Sequence, residues 1–420
     1  MSVEQESIPT TMRAIHLPPN TQTPSPSPSS LIYTPAYPTP TPSPTQYLLQ
    51  TTTTTLSPNE LTHTTLPFKT HIPAHSICGT IISTPSADYN RPDGPTFKIG
   101  DEVFGLVGLD AEGGAADYVV VEEGEVGFKP RNVTAAEAGV VPLGGLMGWQ
   151  ALEGAGLRSS LIEEVEGEGE GEGDGGGEGE GAKGEMIRVL VMGALSEVGR
   201  YVVQLLRSNT APFDGGIRRK GKGMGRKKGK LVDKREIFWI CATGSASIME
   251  DGDEKYLRDE LGADEVVSLE SQGDDDGGSK LLSQTFTGRG WDPVDVVLDC
   301  EDTSTDSDVA ASLACSPHVV RRDGGWEVLK LNLPTWTVEM VDVVDCSSKN
   351  DGGIKAKRWS FTVQPNSVQL SEIAEVVENG EMAPMVDREF GLYEAKEAME
   401  WADRSSGKKF RGKVVLRVNS

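Results

Sequence analysis

The chain reads as an α/β protein, a mostly-β section joined to a doubly wound parallel sheet, and three observations predict that class. Residues 188–200, Arg-Val-Leu-Val-Met-Gly-Ala-Leu-Ser-Glu-Val-Gly-Arg, run from an apolar strand through a tight turn into a helix that opens at a glycine. Val189, Leu190 and Val191 are apolar without alternation, as in a strand covered on both faces, and Val198, Val202, Leu205 and Leu206 then recur at helical spacing. Strand candidates at 236–243, 265–267, 294–299 and 326–331 alternate with helical or loop segments, the pattern of a parallel sheet. Ahead of Thr134, by contrast, there are only short strand-like runs with no helical rhythm.

The mostly-β section starts with a strand candidate at 12–17. A Pro/Ser/Thr-rich stretch at 18–45 follows and is expected to be an exposed loop, because it cannot build a core. Strand-like pieces return at 47–50, 79–83, 100–105 and 114–121. Thr134-Ala-Ala-Glu137 makes a capping box that opens a helix toward Val141, and 142–152 continues as a small-residue helix suited to close packing. Late in the chain, Leu370, Ile373, Ala374 and Val377 put one apolar face on a helix over 367–378, which Gly380 stops. A further helix is expected at 392–401 and a final strand at 414–418.

Two charged inserts interrupt this framework. Residues 163–185 are a Glu/Gly repeat with no apolar face, and 217–230 carry about eight Lys and Arg among glycines. A run that basic is either a nucleic-acid or nuclear-localisation patch or a solvated loop, and the overall charge of −24 favours the loop. The same charge disfavours a nucleic-acid partner and an acidic membrane surface. The inserts dilute a globular framework whose apolar residues make up 37% of the chain. Cys78, Cys241, Cys300, Cys315 and Cys346 form no C-x-x-C pair, so neither a zinc lobe nor a disulfide framework is indicated. No apolar run reaches the length of a membrane span, and the acidic N-terminus, Met1 to Glu6, has no secretory or transit character. A cytoplasmic protein is the expectation, with mitochondrial and nuclear placement left open.

A strand that feeds a helix N-terminus through small residues can receive a dinucleotide pyrophosphate, because backbone N–H groups and the helix dipole converge there. Gly193, Ala194, Leu195, Ser196, Val198 and Gly199 form that turn, with Leu195 at the second glycine position of the G-x-G-x-x-G pattern. The strand ending at Thr243-Gly244-Ser245 has no carboxylate to accept ribose hydroxyls, and Glu250 comes several residues late. Thr243 and Ser245 are therefore cofactor-binding candidates. The missing carboxylate favours NADPH over NADH, with Lys255 a distant partner for the 2′-phosphate.

The order of several segments, 98–105, 113–120, 142–152, 261–266 and 411–416, resembles the medium-chain dehydrogenase/reductase superfamily, in particular its zinc-free quinone oxidoreductase and enoyl reductase branch. The resemblance implies a GroES-like catalytic domain (first part 12–150, return 355–420) split around a Rossmann domain (186–345), with the cofactor between them. It implies direct hydride transfer from NAD(P)H to a quinone or an α,β-unsaturated carbonyl, places Lys413 near the cofactor, and makes Ser57 the catalytic candidate where relatives often have Asn. Ser57 reads equally well as a turn hydroxyl beside Pro58. In zinc-dependent relatives a C-x-x-D motif precedes G-H-E; here Ser57-Pro-Asn-Glu60 and Ala74-His-Ser76 stand there, so His75 is the surviving ligand type and no catalytic zinc is expected. The assembly that this reading allows is a homodimer.

Three departures from the branch stand out. Ser196-Glu197 replace Gly-Gly, and Glu197 places a carboxylate beside the expected pyrophosphate unless it turns outward or pairs with Arg200. Cys300-Glu301 replace a small residue and glycine after Asp299. These keep open a catalytically weak homologue that serves as a binding or scaffold protein. Because neither charged insert has an apolar face to bury, replacing 163–185 and 217–230 by short Gly/Ser links should leave the melting temperature nearly unchanged. A calorimetric scan showing a cooperative loss of fold would mean that they pack.

Overall fold

The structure is a computed structural model that describes residues 8–18, 27–57, 60–62, 72–86, 94–158, 186–213, 234–245, 249–269, 277–301, 316, 318–321, 328–332, 336–345, 355–405 and 412–419. Both charged inserts, Cys315 and Cys346 lie outside the described residues.

β1 (Thr11–His16) and β2 (Ile32–Pro38) form a two-stranded antiparallel sheet. This corrects the loop expected over 18–45, whose second half is strand. Tyr33 and Tyr37 pair opposite Ile15 and Met12, and the backbone ladder holds the segment although few of its side chains are buried. β3 (Tyr47–Leu56), β4 (Ser76–Ser83), β5 (Glu102–Leu106), β6 (Tyr118–Val121) and β7 (Val126–Phe128) follow. α1 (Ala135–Gly139) opens on the expected capping box: the Thr134 hydroxyl accepts from the Glu137 amide, and the Glu137 carboxylate accepts from the Thr134 amide at 2.8 Å. α2 (Pro142–Gly154) begins afresh at Pro142, where proline loses nothing by lacking an N–H.

β8 (Ile187–Met192), α3 (Glu197–Arg207), β9 (Phe238–Ser245), the short α4 (Asp253–Lys255), β10 (Glu265–Leu269), α5 (Gly277–Arg289), β11 (Val296–Asp299), β12 (Val328–Asn332), β13 (Thr337–Asp345) and β14 (Lys355–Thr362) build the second half. They form a seven-stranded sheet in the order β10-β9-β8-β11-β12-β13-β14, parallel through β12 and antiparallel at β13 and β14. The sheet thus continues to Thr362, past the boundary expected at 345, because β14 hydrogen-bonds to β13. α6 (Ser367–Glu378), β15 (Val386–Gly391), α7 (Ala395–Ser405) and β16 (Lys413–Arg417) complete the chain.

β15 and β16 return to the first half. Its sheet runs β15-β16-β3-β4-β5-β7, with β6 also on β3, so strands from both ends of the sequence share one ladder. A mostly-β domain split around a doubly wound α/β domain is the result.

The two halves meet along α2. Its glycines make close approach affordable: a Cβ on Gly148 would stand 3.3 Å from Val202 of α3, and one on Gly145 3.5 Å from Ile373 of α6. Trp149, fully buried, stacks edge-on against Phe213 at 5.0 Å. Within the β domain one of the tightest approaches is at Gly79, where a Cβ would meet the Gln50 carbonyl oxygen at 2.2 Å and Leu49 at 2.7 Å. Backbone cannot yield as a side chain can, so Gly79→Ala should cost about 1–3 kcal/mol. That corresponds to a melting midpoint lower by roughly 3–10 °C; an unchanged midpoint in thermal unfolding would contradict the β3–β4 register.

Candidate active site

β8 and β11 are neighbouring parallel strands at the point where the strand order reverses, the place where open α/β sheets receive their ligands. The turn after β8 lies at this point. Gly193 has φ 61°, a left-handed conformation that glycine adopts without steric cost. The Ala194 amide donates to the Thr243 carbonyl at 2.9 Å, which ties the turn to the end of β9. A Cβ on Gly199 would lie 2.3 Å from the Gly193 carbonyl oxygen, so only glycine lets α3 start this close to β8. Ser196 caps α3, its hydroxyl accepting from the Gly199 amide at 3.1 Å.

Around the turn, Leu195 and Val198 are buried in the core, and Leu195 packs toward Gly244. The Thr243 hydroxyl is fully buried and has no hydrogen-bond partner among the described residues. Such an atom suits a dinucleotide that would supply the missing partner. Ser245 ends β9 opposite Leu269 of β10, and Lys255 closes α4.

Glu197 neither faces outward nor pairs with Arg200. Its carboxylate lies 3.1 Å from the Lys413 ammonium, with both side chains about 2–3% exposed. Arg200 instead donates to the Leu195 carbonyl at 3.0 Å and stacks over Tyr256. The Lys413 that the resemblance brings toward the cofactor is thus engaged with a carboxylate at the start of α3.

At the end of β11, Asp299, Cys300 and Glu301 crowd the same turn. The Glu301 amide donates to Asp299 Oδ1 at 3.1 Å, and a Cβ on Gly193 would stand 2.8 Å from Glu301 Cγ. Burial, reinforced by the Asp299 charge, pushes the Glu301 carboxyl up to about 7. Burial also raises the Cys300 thiol well above its usual range, and pushes Cys78 and Cys241 up to about 12. None of these three is a nucleophile at neutral pH.

In the β domain, Ser57 is buried and its amide donates to Glu60 Oε2 at 3.0 Å, while the Ala74 amide donates to Glu60 Oε1 at 2.6 Å. One carboxylate therefore fixes both the Ser57 and the His75 segments. Burial raises Glu60, against the pull of these two amides and the Lys413 charge. His75 is held neutral, at about 4, because burial outweighs the nearby Val107 and Gly108 carbonyls. Its ring meets Trp336 edge-on at 5.4 Å. Ala74 (φ 74°) and Trp336 (φ 48°) are the non-glycine residues with left-handed backbone among those described. Strain of about 1–3 kcal/mol at each thus sits on both sides of the His75–Trp336 contact.

Glu60 is committed to two amides, a serine hydroxyl is a poor zinc ligand, and no group of three His, Cys, Asp or Glu suited to a metal occurs among the described residues. A surface cavity of about 450 Å³ lies beside Tyr37, Ile72, Glu112 and Tyr118; no residue of the nucleotide turn lines it. Sequence reasoning missed Glu60 and Trp336 as cleft residues. Glu60 had a signal, its place in the motif that in relatives carries Asp; Trp336 had none.

Residues 261–416 match the zinc-binding dehydrogenase family. The chain is 25% identical over 380 residues to a probable zinc-binding oxidoreductase, mitochondrial, of Arthroderma benhamiae, covering 89% of this chain and 88% of that protein. It is 23% identical to the bovine NAD(P)H oxidoreductase RTN4IP1, mitochondrial, over 77% of this chain and 65% of that protein. The fold superposes on the quinone oxidoreductase of Coxiella burnetii with a TM-score of 0.59 at 17% identity, covering 97% of this chain and 99% of the other. These similarities are to oxidoreductases of the medium-chain dehydrogenase/reductase type, and the bovine relative is named as one that uses NAD(P)H. No described helix is long and apolar enough to cross a membrane.

Glu301 gives the site a pH dependence. Below about 7 its carboxyl is neutral; above, it adds negative charge beside the turn, next to Asp299, which feels the Lys330 charge of β12. Nucleotide affinity should therefore fall as pH rises from 6 to 8, by about 1–2 kcal/mol, or roughly tenfold. Glu301→Gln should flatten the profile. Fluorescence titrations at several pH values, with NADH as well as NADPH to separate the 2′-phosphate's own titration, check it.

Proposed function

We propose that this chain is an NADPH-dependent reductase that passes a hydride to a quinone or an α,β-unsaturated carbonyl without zinc. The observation that carries the reading is the strand–turn–helix at Gly193–Gly199, set at the switch point beside the Thr243 hydroxyl, which has no hydrogen-bond partner among the described residues. Bound there, the dinucleotide supplies the hydride. The chain's own residues do the rest. Gly193 and Gly199 let backbone amides approach the pyrophosphate, and Thr243 offers its hydroxyl. Ser57 is the hydroxyl at hand to orient the acceptor oxygen, and neutral His75 neighbours it without adding charge.

The preference for NADPH rests on the end of β9, which carries no carboxylate; the Glu250 amide is bound to Asp253 Oδ2 further along. Zinc independence rests on the donor set. The names of relatives fit the acceptor class, since one of them is a quinone oxidoreductase of Triphysaria versicolor, 23% identical. On this reading the partners are small carbonyl or quinone molecules rather than nucleic acid or membrane, and two of the relatives' names extend the placement from cytoplasm to mitochondrion.

Titration of the purified protein with NADPH and NADH, followed by an acceptor screen before and after chelation, tests this. NADPH should bind the more tightly, quinones or enones should oxidise it, and chelation should leave the rate unchanged. Gly199→Asp adds bulk and charge where the Gly193 carbonyl stands and should abolish binding. If the wild type binds neither nucleotide at millimolar concentration, the oxidoreductase reading fails and a scaffold role replaces it. About one tightly held zinc per chain, with activity lost on chelation, would overturn the zinc-free part.

A further inference from the structure

The Glu197–Lys413 ion pair joins the two domains at the start of α3. Glu197 is the first residue of α3, immediately after the nucleotide turn, and Lys413 is the first residue of β16 in the other sheet. Gly144 of α2 makes room for the carboxylate, since a Cβ there would lie 2.6 Å from Glu197 Oε1. The Lys413 charge is also felt by Glu60, the carboxylate that holds the Ser57 and Ala74 amides. A chain of charged groups therefore runs from the turn that faces the dinucleotide, through Lys413, to the wall that faces the acceptor.

We propose that Lys413 is a positioning residue: paired with Glu197 it fixes the α3 turn against the Ser57–His75 wall and so sets the width of the cleft, and it does not contact the pyrophosphate. This rests on the reductase reading above. It also gives the replacement of glycine by Glu197 a purpose, since the acid neutralises the cation instead of opposing the cofactor. Both partners are nine-tenths or more buried, so removing one takes a counter-charge from the other and loosens the joint. Replacing both with neutral groups of similar size removes that penalty.

The sign of one measurement separates positioning from direct contact. If Lys413 bound the pyrophosphate, Glu197→Gln would free its charge and tighten NADPH binding, while Lys413→Met would weaken it, and the double variant, lacking the cation, would bind as weakly as Lys413→Met. On the positioning account Glu197→Gln and Lys413→Met each weaken NADPH binding three- to tenfold and lower kcat for the acceptor. The double variant Glu197→Gln/Lys413→Met is then no worse than either single one. All titrations are run well below each variant's melting temperature. Tighter binding in Glu197→Gln overturns the proposal, and so does a lowered melting temperature with unchanged affinity and kcat, which marks a purely structural pair. Should the single variants fail to fold, the double variant decides alone: its affinity and kcat fall less than tenfold if Lys413 only positions, and its affinity falls a hundredfold or more if Lys413 holds phosphate. If the wild type binds no nucleotide, the reductase reading fails separately. Amide exchange then judges the joint: faster exchange in both α3 and β16 in either single variant supports it, and exchange confined to the substituted element overturns it.

Discussion

Glu197 and Lys413 meet where water does not reach, and much of the molecule is arranged around that meeting. A buried carboxylate or ammonium alone is costly, so the pair holds only while the start of α3 and the start of β16 stay in register. Those elements belong to different sheets, one built from the middle of the sequence and one from its two ends. The pair thus converts a packing interface into a fixed joint. Gly144 permits it by having no side chain, and Tyr201, one turn along α3, closes it from the side, its phenol pushed up by burial and then by the Glu197 charge.

The cleft that this joint supports has a rigid floor and strained walls. Gly199 presses on the Gly193 carbonyl, which fixes where the first turn of α3 begins, and the Ser196 cap holds it. Opposite, Glu60 binds two amides at once, which keeps Ala74 in its left-handed conformation and sets His75 against Trp336. Backbone strain that is held by a buried carboxylate and lies next to a neutral histidine is the kind of arrangement found at working sites rather than in plain cores.

Much of the fold was legible because its signals are local. The unbroken apolar run of β8, the Thr134–Glu137 box and the apolar face of α6 each declare an element within one or two turns of chain, and the structure has all three where the sequence puts them. The segment at 32–38 escaped because its proline- and serine-rich surroundings hide a strand whose reason to exist is a partner, β1, some twenty residues away. The extension of the Rossmann sheet through β13 and β14 escaped likewise, since antiparallel pairing to an edge leaves little mark on composition. In the site, the glycine turn was readable and its charges were not: Glu197 was visible as an odd residue beside a phosphate site, yet its partner lies more than two hundred positions away.

By itself the sequence determined the fold class, the place of the glycine turn and the residue types available for chemistry, because glycine spacing, helix caps and apolar periodicity act over a few residues. Only the tertiary structure decided what the charges do. It turned Glu197 inward to Lys413, sent Arg200 to Tyr256, brought Glu301 over Gly193 and let Glu60 bind both Ser57 and Ala74. The physical reason is that the energy of an ionised group is set by burial and by the nearest opposite charge, and both depend on which distant segments the fold brings together.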